Sequence, residues 1–162
     1  MVPQLFYNIG SFGPIILYIL TCYFLWEKKT LYFYYNIGFL INSILNIVLK
    51  GIFQQPRPSV DTKQFNLAIT NGKRFIFKDG VPFDLFGMPS GHAESVLFST
   101  VFMYFSMKNI RVLYIYVLIS LITICQRVVY NFHTTFQVLV GGIIGSLIGY
   151  YFYWISQNKI SK

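Results

Sequence analysis

The sequence predicts an all-α integral membrane protein, a helical bundle of about five transmembrane helices with its chemistry at one membrane face. Three observations carry this. Of the 162 residues, 55% are apolar and only 11% charged, against about 25% charged in ordinary soluble domains. The apolar residues fall into long runs, and Lys50, His92, Arg127 and His133 stand at or beside run ends that helix alternation brings to the same side.

The runs are Leu5 to Trp26, Leu31 to Leu49, Ala93 to Met107, Val112 to Cys125 and Val138 to Ile155. A spanning helix needs about 20 residues, so the shorter runs are expected to extend. This gives spans near 5–26, 31–49, 91–107, 111–129 and 134–155 around an extramembrane loop at 51–88, all in one domain. So few charges cannot cover a soluble surface around five such helices. The first run is expected to remain in the protein, because Met1 to Trp26 has no basic start, a long apolar stretch and no small-residue cleavage site after it.

Glu27-Lys28-Lys29-Thr30 is a tight charged connection. Basic residues after a first span hold that side in the cytoplasm, and alternation puts Lys108, Arg111, Lys159 and Lys162 on the same side. The opposite face is therefore expected to be lumenal or extracytoplasmic, in the endoplasmic reticulum if the protein is of eukaryotic type. Its loop also carries Arg57, Lys63, Lys73, Arg74 and Lys78, partly offset by Asp61, Asp79 and Asp84. Within it, Phe75-Ile76-Phe77 and Val81-Pro82-Phe83 around a Gly-containing link read either as a small hairpin, with Pro82 on an edge, or as an irregular loop with interfacial aromatics.

The net charge of +8 comes from scattered residues without a basic stripe, so anionic lipid is the expected partner and nucleic acid is not. Cys22 and Cys125 lie in different runs near opposite faces, with neither disulfide reach nor metal-ligand spacing. Gly141, Gly145 and Gly149 recur every four residues, the spacing of a close helix contact.

Phe86-Gly87-Met88-Pro89-Ser90-Gly91-His92 leads from the polar loop straight into the third run. A helix start there offers backbone N–H groups without intrahelical partners, a natural anion site. Taken singly, Lys50 and Arg127 read as interfacial anchors and each histidine as a boundary residue. Together, Lys50, Arg57 and Arg127 with two imidazoles at one face suit a phosphate group. One imidazole can attack phosphorus while the other protonates the departing oxygen and then activates water. With five acidic residues in the chain, none of them paired, no carboxylate metal site and no cofactor are expected.

These residues resemble the type 2 phosphatidic acid phosphatases (PAP2), relatives of the vanadium-dependent haloperoxidases. The family pattern has three parts: a lysine with six residues between it and Arg-Pro, here Lys50 and Arg57-Pro58; Pro-Ser-Gly-His, here Pro89 to His92; and an arginine with five residues between it and a histidine, here Arg127 and His133. The match covers roughly Lys50 to Gln137, and the two preceding spans look like the family's second and third. The resemblance implies His133 as nucleophile, His92 as general acid and then base, and Lys50, Arg57 and Arg127 as the phosphate clamp, with Ser90 and the Gly91 N–H adding donors.

The chain departs from the pattern at two places. Gln126 replaces a usual serine, and Gln137 stands where most members have aspartate. One helical turn beyond His133, a Gln137 carbonyl can accept the imidazole N–H but brings no negative charge. Glu94 is a candidate substitute carboxylate, or simply an acid at a helix start. The Gln-x-Pro-Arg-Pro and Tyr-x-x-His-Thr-x-x-Gln-Val wording is similar to the dolichyl diphosphatase branch, which has Gln at this position, although that branch usually carries Pro-Ser-Ser-His. The resemblance thus implies metal-independent hydrolysis of a polyprenyl or dolichyl diphosphate, with phosphatidate as the alternative substrate. A noncatalytic binder of anionic lipid is the alternative of another class.

Overall fold

A computed structural model describes residues 2–78 and 80–160. Asp79 and Lys162 lie outside the described residues. The elements are α1 (Val2–Leu25), α2 (Lys29–Phe53), α3 (Thr62–Thr70), β1 (Phe75–Lys78), β2 (Val81–Asp84), α4 (Gly91–Met107), α5 (Ile110–Val129) and α6 (Thr135–Ile160).

Four helices, α1, α2, α5 and α6, are long and apolar enough to cross a membrane, and the molecule is a multi-pass membrane helical bundle. The third expected span, α4, has 17 residues, about 25 Å of helix, and is shorter than the usual spanning length. It is the centre of the bundle, packed on α1, α2, α5 and α6. That position explains how its polar residues are tolerated. Glu94, Ser99 and Thr100 are buried against other helices, where hydrogen bonds meet needs that lipid cannot.

Those bonds knit the interior. Tyr35 on α2 pairs with Ser99 at 2.8 Å, Thr100 pairs with Ser120 on α5 at 2.8 Å, and Thr21 on α1 pairs with Tyr116 at 2.8 Å. Between them, Leu17, Tyr35, Phe98, Phe102 and Tyr116 form the apolar core. Outward, Ile15, Ile44, Leu118, Leu121, Leu139 and Leu147 are exposed, as a lipid-facing surface requires.

The glycine stripe has its partner. A Cβ on Gly141, Gly145 or Gly149 would strike the backbone of Ser90, Glu94 or Phe98 respectively. Positions rise together on the two helices, so α4 and α6 run parallel with their starts side by side. Larger residues would force this seam apart.

The loop at 51–88 is more ordered than its composition suggests. Asp61 caps α3, its side chain accepting the N–H groups of Lys63 and Gln64, as N-cap aspartates do. The hairpin reading holds, with Phe75 opposite Asp84 and Lys78 opposite Val81. Gly80 turns with φ +77°, a conformation open to glycine at little cost. Ala68, Leu85 and Phe86 form a second small core with Val60, Phe65, Ile69, Ile76 and Phe83 around it. This cap holds residues 84–87 over the helix ends.

Candidate active site

His133 lies just before α6 and is 2% exposed. Its Nδ1 is 2.8 Å from the Gly87 carbonyl oxygen. A carbonyl only accepts, so Nδ1 carries the proton and Nε2 presents a lone pair. Nε2 is 3.0 Å from Arg57 Nη1, which donates to it. Burial, with Arg57 and Lys50 adding to it, pushes the His133 pKa down to about 2. The ring is therefore neutral at physiological pH, the state a nitrogen nucleophile needs.

Arg57 is fixed on three sides. Its Nε donates to the Asp84 carbonyl at 2.7 Å, its Nη1 also reaches the Phe132 carbonyl at 3.3 Å, and the guanidinium lies 5.1 Å from the Phe83 ring centre. Arg127 lies over Phe132 at 4.6 Å. Its carbonyl accepts the N–H groups of Phe132 and His133, both at 3.0 Å, which folds the connection between α5 and α6 back onto the arginine. The buried Arg127 Nε and Ser90 Oγ have no hydrogen-bond partner among the described residues. Lys50, 6% exposed at the end of α2, donates to Asp84 Oδ2 at 3.0 Å.

His92 stands at the start of α4 with Nε2 donating to the Ser11 carbonyl on α1 at 3.1 Å. It makes no hydrogen bond to His133 or to the clamp, although Arg127, Arg57 and Lys50 are the charges that act on its ring. Ser11 also accepts Gln126 Nε2 at its hydroxyl, 3.1 Å away, which gives the departure at position 126 a role in seating α1. Glu94 accepts Asn46 Nδ2 at 2.6 Å and shows no bond to either histidine.

The expected bond from Gln137 to the imidazole is corrected by the structure. The Gln137 Oε1 accepts the Thr134 N–H at 3.2 Å, and Thr134 Oγ1 accepts the Gln137 N–H at 3.1 Å. This reciprocal pair is a capping box at the start of α6. The Gln137 amide nitrogen donates to the Pro56 carbonyl at 3.0 Å, and its own carbonyl accepts the Ser90 N–H at 3.0 Å. Gln137 thus fastens three loops, and the Gly87 carbonyl holds the ring.

Sequence reasoning missed Asp84, Arg74, Gly87 and Ser11. The Thr-x-x-Gln capping signature was legible, whereas nothing in the sequence marks a carbonyl as a histidine partner. Among the described residues, no three His, Cys, Asp or Glu side chains gather as a metal site.

Fold and site together define a membrane helical bundle with a buried cluster of cations around a neutral imidazole at one end. Residues 31–161 match the PAP2 superfamily, and the chain belongs to it. It is 31% identical over 129 residues to a dolichyldiphosphatase of Saccharomyces cerevisiae, covering 73% of this chain and 48% of that protein. It is also 33% identical over 133 residues to lipid phosphate phosphatase epsilon 2, chloroplastic, of Arabidopsis thaliana, covering 76% and 39%. The chain spans half or less of the length of these relatives. No solved structure matches it.

Proposed function

We propose that the protein hydrolyses a polyprenyl or dolichyl diphosphate to the monophosphate and inorganic phosphate through a phosphohistidine at His133, without a metal. The observation that carries this is the His133 ring, held by Gly87 so that the Nε2 lone pair faces Arg57 Nη1, from which it is freed to meet phosphorus when the guanidinium turns to the phosphate oxygens. That nitrogen attacks the terminal phosphorus, and the bond to the bridging oxygen breaks. His92 keeps its Nε2–H on the Ser11 carbonyl, so its catalytic proton is a second one, taken up at Nδ1 with the anionic substrate that offsets the neighbouring cations. It passes this proton to the leaving monophosphate, then takes one from the water that releases phosphate from His133. Lys50, Arg57 and Arg127 stabilise the charge on the transferring oxygens, as preorganised donors do.

The partnerless Arg127 Nε and Ser90 Oγ are buried donors of the kind a phosphate would satisfy. Beside His92, a cleft of about 340 Å³ opens between α1 and α2, lined in part by Ser11, Ile15, Ser43 and Ile47. A tail in the bilayer can enter there while its headgroup reaches the cluster. Lys28, Lys29, Lys108, Arg111 and Lys159 lie exposed at the other end of the bundle, which supports a lumenal or extracytoplasmic site.

The similarity to lipid phosphate phosphatases epsilon favours a second reading, hydrolysis of phosphatidate or another lipid monophosphate. Purified protein in detergent with EDTA, assayed on both lipids beside His133→Ala, separates these. Phosphate release from the diphosphate, lost in the variant while lipid binding persists, is the expected result. Release from phosphatidate alone selects the second reading. No release from either lipid leaves anionic-lipid binding without catalysis.

A further inference from the structure

We infer that Asp84 is a positioning residue for the phosphate clamp, its carboxylate holding the Lys50 ammonium and its backbone carbonyl holding the Arg57 guanidinium. The inference rests on the phosphatase reading of the site. One residue at the end of β2 thereby sets two of the three cations, and the same strap, three residues on, supplies the Gly87 carbonyl that orients His133.

Asp84 is itself firmly seated. Arg74 grips it with Nε to Oδ1 at 3.1 Å and Nη2 to Oδ2 at 3.0 Å, and the Phe86 N–H adds a bond to Oδ1 at 3.1 Å. Arg74 in turn lies 5.3 Å from the ring centres of both Phe75 and Phe86 and donates to the Ile47 carbonyl. Lysine is the adjustable member, a point charge on a four-carbon stem with three donors. Asp84 occupies one donor and leaves two for phosphate oxygens. The side chains of Lys50 and Asp84 are 8% and 16% exposed, so the pair escapes the solvent screening that makes surface ion pairs weak.

The charge matters as well as the reach. Burial raises the Asp84 pKa, but the Arg74 bond and Lys50 outweigh it and hold it below the ordinary carboxylate range. The anion thus persists beside Lys50, Arg57 and Arg74 and eases their mutual repulsion. In Asp84→Asn, Lys50 loses its anchor while the site loses a negative charge that repels substrate. The variant should therefore lose kcat without gaining KM.

The test uses the full chain, with Asp84→Asn, Asp84→Glu, Lys50→Met and the Lys50→Met/Asp84→Asn double variant. On the diphosphate, Asp84→Asn should lower kcat roughly 10- to 100-fold, the scale of one charge-assisted bond, with KM not raised. Asp84→Glu, which keeps the charge, should recover most of kcat. In the Lys50→Met background the Asp84→Asn change should cost less than about threefold, because it acts through Lys50. A raised KM with unchanged kcat, an Asp84→Glu variant as slow as Asp84→Asn, or full additivity with Lys50→Met each overturns the inference.

A second measurement needs no turnover: reductive methylation of Lys50, read by mass spectrometry against Lys28 and Lys29 as internal standards. Wild type and Asp84→Glu should protect Lys50 several-fold relative to Asp84→Asn, and equal labelling overturns the inference. If wild type releases no phosphate from either lipid, the phosphatase reading falls, while the labelling still decides whether Asp84 holds Lys50.

Discussion

Lys50 and Arg127 at the site end are 6% and 7% exposed, whereas Lys28, Lys29, Lys108 and Arg111 at the far end stand exposed. Both groups sit at helix ends of the same bundle. At the site end a cation is fastened to a carboxylate, a carbonyl or an aromatic face. At the far end Lys28 meets the Met107 sulfur, 3.3 Å away. The far-end residues suit interfacial anchoring, which tolerates mobility. The site-end residues carry a desolvation cost that only a partner of opposite charge offsets.

Substitutions at the two ends are expected to differ widely in effect. The largest effect is expected from His133→Ala, which should lower phosphate release about a thousandfold or more while lipid binding changes less than about threefold. Arg57→Lys keeps the charge but loses the fork that spans Asp84, Phe132 and His133. Its kcat should fall roughly 10- to 100-fold, and retention of full kcat would show that charge alone suffices.

Gln137→Ala removes the capping box and should cost about 1 kcal/mol of stability with less than about a tenfold loss of kcat. A loss matching that of His133→Ala would restore Gln137 to the chemistry itself. The smallest effect belongs to the far end: Lys108→Ala with Arg111→Ala should leave kcat within about twofold, since exposed charges far beyond a Debye length of the site are screened.

The buried imidazole also gives the site end its own pH signature. The folded pKa of about 2 lies below the ordinary histidine value of 6.5, so between these values the unfolded chain binds more protons than the folded one. Stability contributed by this group is complete above about pH 6.5 and is lost as the pH falls toward 2. Thermal unfolding of wild type should therefore weaken more steeply over that window than that of His133→Phe. Parallel slopes would place the ring in a wetter setting.

The bundle and its polar end were legible in the sequence because hydropathy and the three motif segments are local signals. Lys50, Arg57, Arg127 and His133 converge as helix alternation requires. α3 was not foreseen, since its nine residues are short and weakly apolar overall, and the Asp61 cap and the small core beneath them hold the helix. The 17-residue length of α4 agrees with the expected bounds 91–107, whereas its place at the centre of the bundle rests on contacts no local signal reports. The partner of His133 was misread because a side chain one turn away is visible in sequence, while a backbone carbonyl 46 residues distant is not. Asp84 was counted only as charge in a loop, and its meaning came from the strand register that places it opposite Phe75.

The parallel seam of α4 and α6 has an electrical consequence. Two peptide dipoles point the same way, each carrying about half an elementary charge at its start, and both starts, after Ser90 and at the capped Thr134, lie at the site end of the bundle. About one unit of positive potential therefore belongs to the backbone. Removing any single arginine or lysine leaves it in place, so the residual anion affinity of a fully side-chain-stripped clamp would measure what the helices themselves contribute.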